Sequence, residues 1–289
     1  MVEYSNPIPP DHMNRGDQRI WRDLVVLGLG GVGILFVSLY LLMLLGGVIG
    51  RMIPFSYEYA LVKYVSPSSV TRAEAGQAYE LQKLADRLAA HMNLPEDMEI
   101  TVHYSADPQV NAFATIGGQI YILEGLISRV ESENELAMVV AHEIAHIKHR
   151  DVSANLFAAL VANLFYMTFI GSEGVDNYAF STSNTLLTLG ISREAERMAD
   201  AAALRALAAE YGHANGSREL FRTLEASLPD QDLSLLDDLE ILKTHPSIDK
   251  RIAAIETLVN ELEVSLHGPL VPLTDGLKGT SPTTNPATK

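Results

Sequence analysis

The chain has 289 residues, no cysteine and a formal net charge of −15. Its length allows one substantial domain with an appended segment. The lack of cysteine excludes disulfide bonds, thiolate metal ligands and a cysteine nucleophile, and the acidic charge argues against nucleic-acid binding through phosphate contacts.

A polar N-terminal segment, residues 1–23, is followed by an apolar segment, residues 24–50, that contains no charged residue. A helix that crosses the hydrocarbon core of a bilayer needs about 20 apolar residues, whereas the apolar core of a cleaved signal peptide has about 7–15. The apolar segment is therefore predicted to be a retained transmembrane anchor. Gly46 and Gly50 have the spacing of a helix-packing face, although the ordinary composition of membrane helices is the simpler explanation.

Basic residues around this anchor predict its orientation. Arg15, Arg19 and Arg22 precede the anchor, and Arg51 and Lys63 follow it closely. Because Lys and Arg are enriched on the cytoplasmic side of membrane helices, this balance favours a cytoplasmic N-terminus. We expect a single-pass protein of a bacterial inner membrane, with its main domain in the periplasm.

The residues after the anchor, 53–264, are predicted to form a mainly helical α+β domain with a small sheet. Two short apolar strands around Gly117 and Gly118 indicate a β-hairpin. Periodicity and capping residues predict a strand over 98–104 and helices over 70–92, 131–151, 192–212, 215–227 and 247–263. Residues 265–289 are expected to be a disordered tail, since the stretch TDGLKGTSPTTNPATK, residues 274–289, has low complexity.

The sequence AHEIAHIKHRD, residues 141–151, has the pattern of a metal site. His142 and His146 are four residues apart, so a helix places both imidazoles on one face, where they can bind one zinc ion at about 2.0–2.1 Å each. Glu143 then lies beside the metal and is suited to act as a base. The alternative is a helix whose histidines are only surface groups.

A catalytic zinc site needs a third protein ligand. His149 does not qualify, because the helical rise separates it from His142 by about 10.5 Å. The segment SREAERMADAAALRALAAE offers Glu196, which a second helix can present to the metal, and Asp200 one turn later, which can orient a ligating imidazole. Glu194 is a rival ligand, and carboxylates at this spacing are usually only solvated.

Together, AHEIAHIKHRD and SREAERMAD resemble the gluzincin zinc metallopeptidases of the HtpX and CAAX prenyl protease family. The stretches NAFATIGGQIYILEGLI, THPSIDKRIAAIE and IPFSYEYAL are similar to further elements of that family. The resemblance implies a zincin-like metallopeptidase domain with a small sheet and paired active-site helices. It implies His142, His146 and Glu196 as ligands of one zinc ion per chain, Glu143 as the base, and Asp200 as the partner of a ligating histidine.

Two further residues are weaker candidates. The resemblance places His245 near the site, where it could stabilise an oxyanion, although a histidine before Pro246 could simply precede a helix. Asn111 could lie on an edge strand that pairs with an extended substrate peptide, or it could be a turn residue.

The sequence therefore predicts a membrane-anchored zinc metalloendopeptidase. Its partners would be protein or peptide substrates of the envelope or membrane, in protein quality control, and membrane lipid around the N-terminal helix. One alternative is a zinc-stabilised scaffold or holdase without catalysis, which an intact Glu143 argues against. Another is a maturation protease of narrow specificity.

The uncharged stretch over residues 152–171 is long enough for a second membrane span. It is interrupted by polar residues, and a helix buried in the domain explains it equally well. His146 and Glu196 flank it and must meet one ion, so the chain between them crosses the membrane an even number of times. We expect no crossing here, with residues 152–171 buried or resting at the membrane surface, because a returning span over 175–191 would be rich in Ser, Thr and Asn. The resemblance leaves the alternative open, since HtpX-type members insert a pair of spans at this place.

Overall fold

A computed structural model describes residues 20–65, 76–169, 192–226 and 248–277. These residues form the predicted mainly helical α+β fold. The helices are α1 (Ile20–Met52), α2 (Phe55–Val65), α3 (Gln77–Ala90), α4 (Glu124–Ile127), α5 (Glu133–Lys148), α6 (Asp151–Phe169), α7 (Arg193–Tyr211), α8 (Ser217–Ala226) and α9 (Ile248–Glu261). The strands are β1 (Thr101–Ser105), β2 (Ala112–Thr115) and β3 (Gln119–Leu123).

The strands form one three-stranded sheet in the order β1-β3-β2. β1 and β3 are parallel, whereas β2 and β3 form the predicted antiparallel hairpin, so β2 lies at an edge. The hairpin turn requires glycine, since Gly117 and Gly118 both have positive φ, 69° and 74°. A Cβ on Gly118 would lie 1.9 Å from the carbonyl oxygen of Glu99.

Helix α5 is the centre of the domain, and its residues 133–147 are all buried. Its first turn is fixed by a capping box. The Ser132 hydroxyl accepts a hydrogen bond from the backbone N–H of Glu135 at 3.3 Å and donates one to the Glu135 carboxylate at 3.0 Å. α3, α7, α8 and the hairpin pack around α5, which places the metal-binding motif inside the domain.

The chain turns sharply after α5, where the sequence predicted a helix that continues to residue 151. The helix ends at Lys148, and Arg150 adopts a positive φ of 64°. Asp151 then begins α6. Local periodicity does not reveal this corner, because it depends on contacts that Arg150 makes with distant residues.

Helices α1 and α6 run antiparallel and touch through glycine. A Cβ on Gly50 would lie 2.4 Å from the Ser153 carbonyl oxygen, and one on Gly46 would lie 2.9 Å from that of Phe157. The spacing of these two glycines therefore does form a helix-packing face. Both helices are long and apolar enough to cross a membrane, and only 22% of the most apolar part of α6 is buried. The distal half of α6 is thus not buried in the domain, so of the two expected places for this segment only the membrane surface is left for that half.

The domain extends beyond the predicted boundary at residue 264. Leu273 and Leu277 lie in the hydrophobic core at 8% and 1% exposure, and Pro272 forms a β-bridge with Ser132. The prediction of a disordered tail from residue 265 is therefore wrong for residues 265–277, whose apolar side chains complete the core beside the start of α5. Residues 278–289 lie outside the described chain.

Candidate metal and active site

Two helices bring the three predicted ligands together. His142 and His146 lie one turn apart on α5, and Glu196 lies in the first turn of α7. The side chain of Ser192 caps α7 by accepting a hydrogen bond from the N–H of Ala195 at 3.2 Å. All three candidate ligands are buried, and their ligand atoms lie within 4.8 Å of one another.

The spacing of these atoms fits a zinc ion. Tetrahedral zinc with bonds of about 2.0–2.1 Å separates its ligand atoms by about 3.3 Å. The Nε2 atoms of His142 and His146 are 3.0 Å apart, and the Glu196 carboxylate oxygens lie 3.4 Å and 3.7 Å from them. Two imidazoles and one carboxylate are also a donor set that catalytic zinc sites use. The described residues could therefore hold a metal at this point.

Each histidine is oriented by a carboxylate on its other ring nitrogen. Nδ1 of His142 lies 3.0 Å from Asp200, as predicted, and Nδ1 of His146 lies 3.0 Å from Asp151. These contacts point both Nε2 atoms towards the shared position. Burial lowers the pKa of His146, whereas burial of His142 is outweighed by Asp200 and Glu196, which raise the pKa of His142 to about 9, so a metal would have to displace a proton from His142. The role of Asp151 was missed, although this residue closes the motif AHEIAHIKHRD.

Asp200 is itself held by Arg251 of α9. The Nε atom of Arg251 donates to Asp200 at 3.2 Å, and its Nη2 atom makes a second, shorter contact. Its guanidinium lies 4.5 Å from the centre of the Phe221 ring and 3.5 Å from Glu196. Burial alone would raise the pKa of Asp200, but Arg251 and the bond to His142 lower it to about 2. Sequence reasoning missed Arg251, which lies within the quoted stretch THPSIDKRIAAIE.

Glu143 lies between the metal-binding cluster and the edge of the sheet. Its side chain is 2% exposed and accepts a hydrogen bond from the backbone of Ala114 in β2. Burial raises the pKa of Glu143 to about 7. A carboxyl group with this pKa can both accept and return a proton near neutral pH, as a general base requires.

The remaining candidates lie away from the cluster or outside the described chain. His149 is the C-cap of α5, and Glu194 is exposed and pairs with Arg197 at 3.3 Å, so neither belongs to the metal-binding cluster. Asn111 directly precedes the edge strand, but its side chain is only 2% exposed. His245 lies outside the described residues.

The matched family model confirms the predicted family. The model of Peptidase family M48 matches residues 75–259, which include both active-site helices and more than half of the chain. This chain belongs to peptidase family M48. The predicted enzyme class is therefore confirmed, and the chain is a peptide hydrolase that acts on protein substrates.

Similar proteins carry the names of proteases. The chain is 28% identical over 172 residues to the Mitochondrial metalloendopeptidase OMA1 of Schizosaccharomyces pombe, a match that covers 58% of this chain and 49% of that protein. It is 26% identical over 273 residues to the Protease HtpX homolog of Salinibacter ruber, covering 83% of this chain and 94% of that protein. The chain thus spans about half the length of the OMA1 protein and nearly all of the HtpX homolog.

Proposed function

We propose that this M48 peptidase is a membrane-anchored zinc endopeptidase. The observation that carries the proposal is the convergence of two imidazole Nε2 atoms and one carboxylate, with a buried carboxyl group of raised pKa beside them. Zinc bound there supplies a Lewis acid that acidifies water and polarises a peptide carbonyl. His142, His146 and Glu196 would hold the ion.

Glu143 is the proton carrier in this proposal. Its carboxylate takes a proton from water and returns it to the leaving amine when the peptide bond breaks. The bond from the Ala114 N–H orients the carboxylate towards the cluster. The edge strand β2 supports binding of an extended substrate as an added strand, which brings the substrate backbone past Glu143. The role of Asn111 in substrate binding and that of His245 in stabilising an oxyanion remain predictions.

Metal removal tests this function. The purified chain is expected to contain one zinc ion and to cleave an unfolded protein. A chelator should remove both zinc and activity, and added zinc should restore the activity. His146→Ala should lose zinc, whereas His267→Ala, which changes an exposed histidine, should keep it. Elemental analysis and a cleavage assay measure the two quantities. Cleavage that persists in the chelator would contradict the proposal.

The proposed substrates are envelope or membrane proteins, in particular damaged ones. The anchor supports this choice, because it holds the site close to the bilayer surface. Comparison of protein fragments in cells that carry the wild-type chain or Glu143→Gln would separate broad quality control from maturation of one partner. Broad quality control predicts fragments of many unrelated proteins that appear only with the wild-type chain. Fragments of a single protein would favour maturation of one partner.

The packing of α6 along α1 supports a second membrane crossing, in place of the single pass that the sequence favoured. The part of α6 beyond its first turn, which is buried in the domain, covers residues 155–169 and is about 22 Å long, against a hydrocarbon thickness of about 30 Å. Because His146 and Glu196 share one site, a crossing by α6 requires an even number of crossings between them, and residues 170–191 lie outside the described chain. We propose that the domain lies in the periplasm and that α6 runs from it towards the cytoplasmic side.

Single cysteines test this topology, since the natural chain has none. Glu99→Cys and Arg205→Cys are expected to react with an impermeant thiol reagent from the periplasm, and Glu173→Cys only after the cells are opened. Reaction of Glu173→Cys from the periplasm would show that α6 does not cross. Placement of residues 99 and 205 on opposite sides would contradict the shared metal site.

A further inference from the structure

The segment that joins the anchor to the domain makes buried polar contacts close to the active site. Glu58 lies in the first turn of α2 and is 6% exposed. Its carboxylate accepts a hydrogen bond from the backbone N–H of Gly117 at 3.1 Å, another from the hydroxyl of Ser153, and pairs with the guanidinium of Arg150. One side chain therefore connects α2, the hairpin turn and the start of α6.

Arg150 occupies the corner that places Asp151. Its φ of 64° is unfavourable for a residue other than glycine and persists only where the surroundings fix it. The contacts that fix it are the ion pair with Glu58 and a hydrogen bond from its guanidinium to the carbonyl oxygen of Ile53. Asp151 follows directly, and its carboxylate lies 3.0 Å from Nδ1 of His146.

The anchor helix α1 also contacts the carboxylate of Asp151. Arg51, in the last turn of α1, lies 3.6 Å from Asp151. Because Arg51 is about half exposed, water weakens this ion pair. The buried contacts of Glu58 are much less screened, so they determine the position of the corner.

We propose that Glu58 is a positioning residue of the active site, which fixes the Arg150 corner so that Asp151 holds His146 in its metal-binding orientation. The inference rests on the proposed zinc function. If so, the segment that follows the anchor, which includes Glu58, contributes to metal binding and is more than a linker. The contact of Glu58 with Gly117 also ties the hairpin, and with it the edge strand, to the same corner.

Zinc affinity in the full-length chain tests this role. Changes to groups that orient a metal ligand typically weaken metal binding by about 10–100-fold. Asp151→Asn and Glu58→Gln, which both preserve side-chain shape, are expected to weaken zinc binding within that range, with Glu58→Gln near its lower end. The matched control Glu96→Gln makes the same change at an exposed site and should leave the affinity unchanged. Competition with a chelator in detergent or nanodiscs gives the dissociation constants.

The double variant separates positioning from a general loss of stability. Because Glu58 acts through Asp151, Glu58→Gln combined with Asp151→Asn should bind zinc about as weakly as Asp151→Asn alone. Arg150→Lys loses the guanidinium, whose Nη2 atom contacts both Glu58 and the carbonyl oxygen of Ile53, so it should weaken zinc binding even if Glu58→Gln does not fold. Unchanged affinity in Glu58→Gln or Arg150→Lys, or independent effects in the double variant, would overturn the proposal. Failure of the proposed function would differ, because the wild-type chain itself would then take up no zinc.

Discussion

Glu143→Gln is expected to lower the rate of peptide cleavage by about 10²–10⁴-fold, the range that general acid–base catalysis contributes. The amide has nearly the shape of the carboxyl group but cannot accept a proton at neutral pH. Because Glu143 is not among the three converging ligands, zinc content and thermal stability should stay close to those of the wild-type chain. Turnover at saturating substrate, with zinc measured in the same sample, gives the result.

Glu131→Gln is the matched control, since it makes the same change at an exposed residue two positions before α5. It should cleave at the wild-type rate. Turnover of Glu143→Gln within about tenfold of wild type would identify another base, because that loss is smaller than a general base contributes. Loss of zinc together with activity would instead mean that Glu143 supports the metal site.

Local spacing was sufficient to predict that His142 and His146 lie on one face of a helix and that residues 112–123 form a hairpin. The separation of His142 and His146 by one helical turn needs only helix geometry, and the glycine pair 117–118 marks a hairpin because both positions require positive φ. The third ligand needed a second helix, for which the segment SREAERMAD offered Glu196 with Glu194 as a rival, and the resemblance implied Glu196. These features depend on a few neighbouring residues, which explains why the sequence alone revealed them.

The supporting residues depend on tertiary contacts and were therefore missed. Asp151 faces His146 only because the chain turns at Arg150, where a helix-compatible sequence is held in a left-handed conformation by Glu58 from another part of the chain. Arg251 reaches Asp200 from a helix about fifty residues away. Neither contact has a periodic signal, because both depend on how whole helices pack.

Dependence on helix packing also explains what the sequence did not reveal about the apolar segments. Composition predicted that α1 is an anchor, but its contact with α6 depends on which face Gly46 and Gly50 present. Residues 265–277 were predicted to belong to a disordered tail, yet Leu273 and Leu277 complete the core. The apolar residues of this stretch are separated by proline, glycine and polar residues without a helix or strand period, so only packing could reveal their role.

Glu196→Gln is expected to weaken zinc binding by more than about 100-fold, beyond the effect of changing a residue that only orients a ligand. A neutral amide loses the charge that attracts the cation. In addition, Arg251 lies 3.5 Å from Glu196, so its positive charge would then act on the site without the balancing carboxylate. Activity should fall with zinc occupancy and recover in part at high zinc concentration.

Glu194→Gln provides the control that the sequence itself suggests, since the two glutamates are two residues apart and were rival ligands. Glu194 is 67% exposed and pairs with Arg197 on the solvent face of α7. An exposed ion pair of this kind contributes about 0–1 kcal/mol, so its loss should change neither zinc affinity nor stability measurably. Loss of zinc in Glu194→Gln but not in Glu196→Gln would contradict this assignment. It would mean that α7 presents its opposite face to α5, so that the contacts of Asp200 and Arg251 with the site would also be wrong.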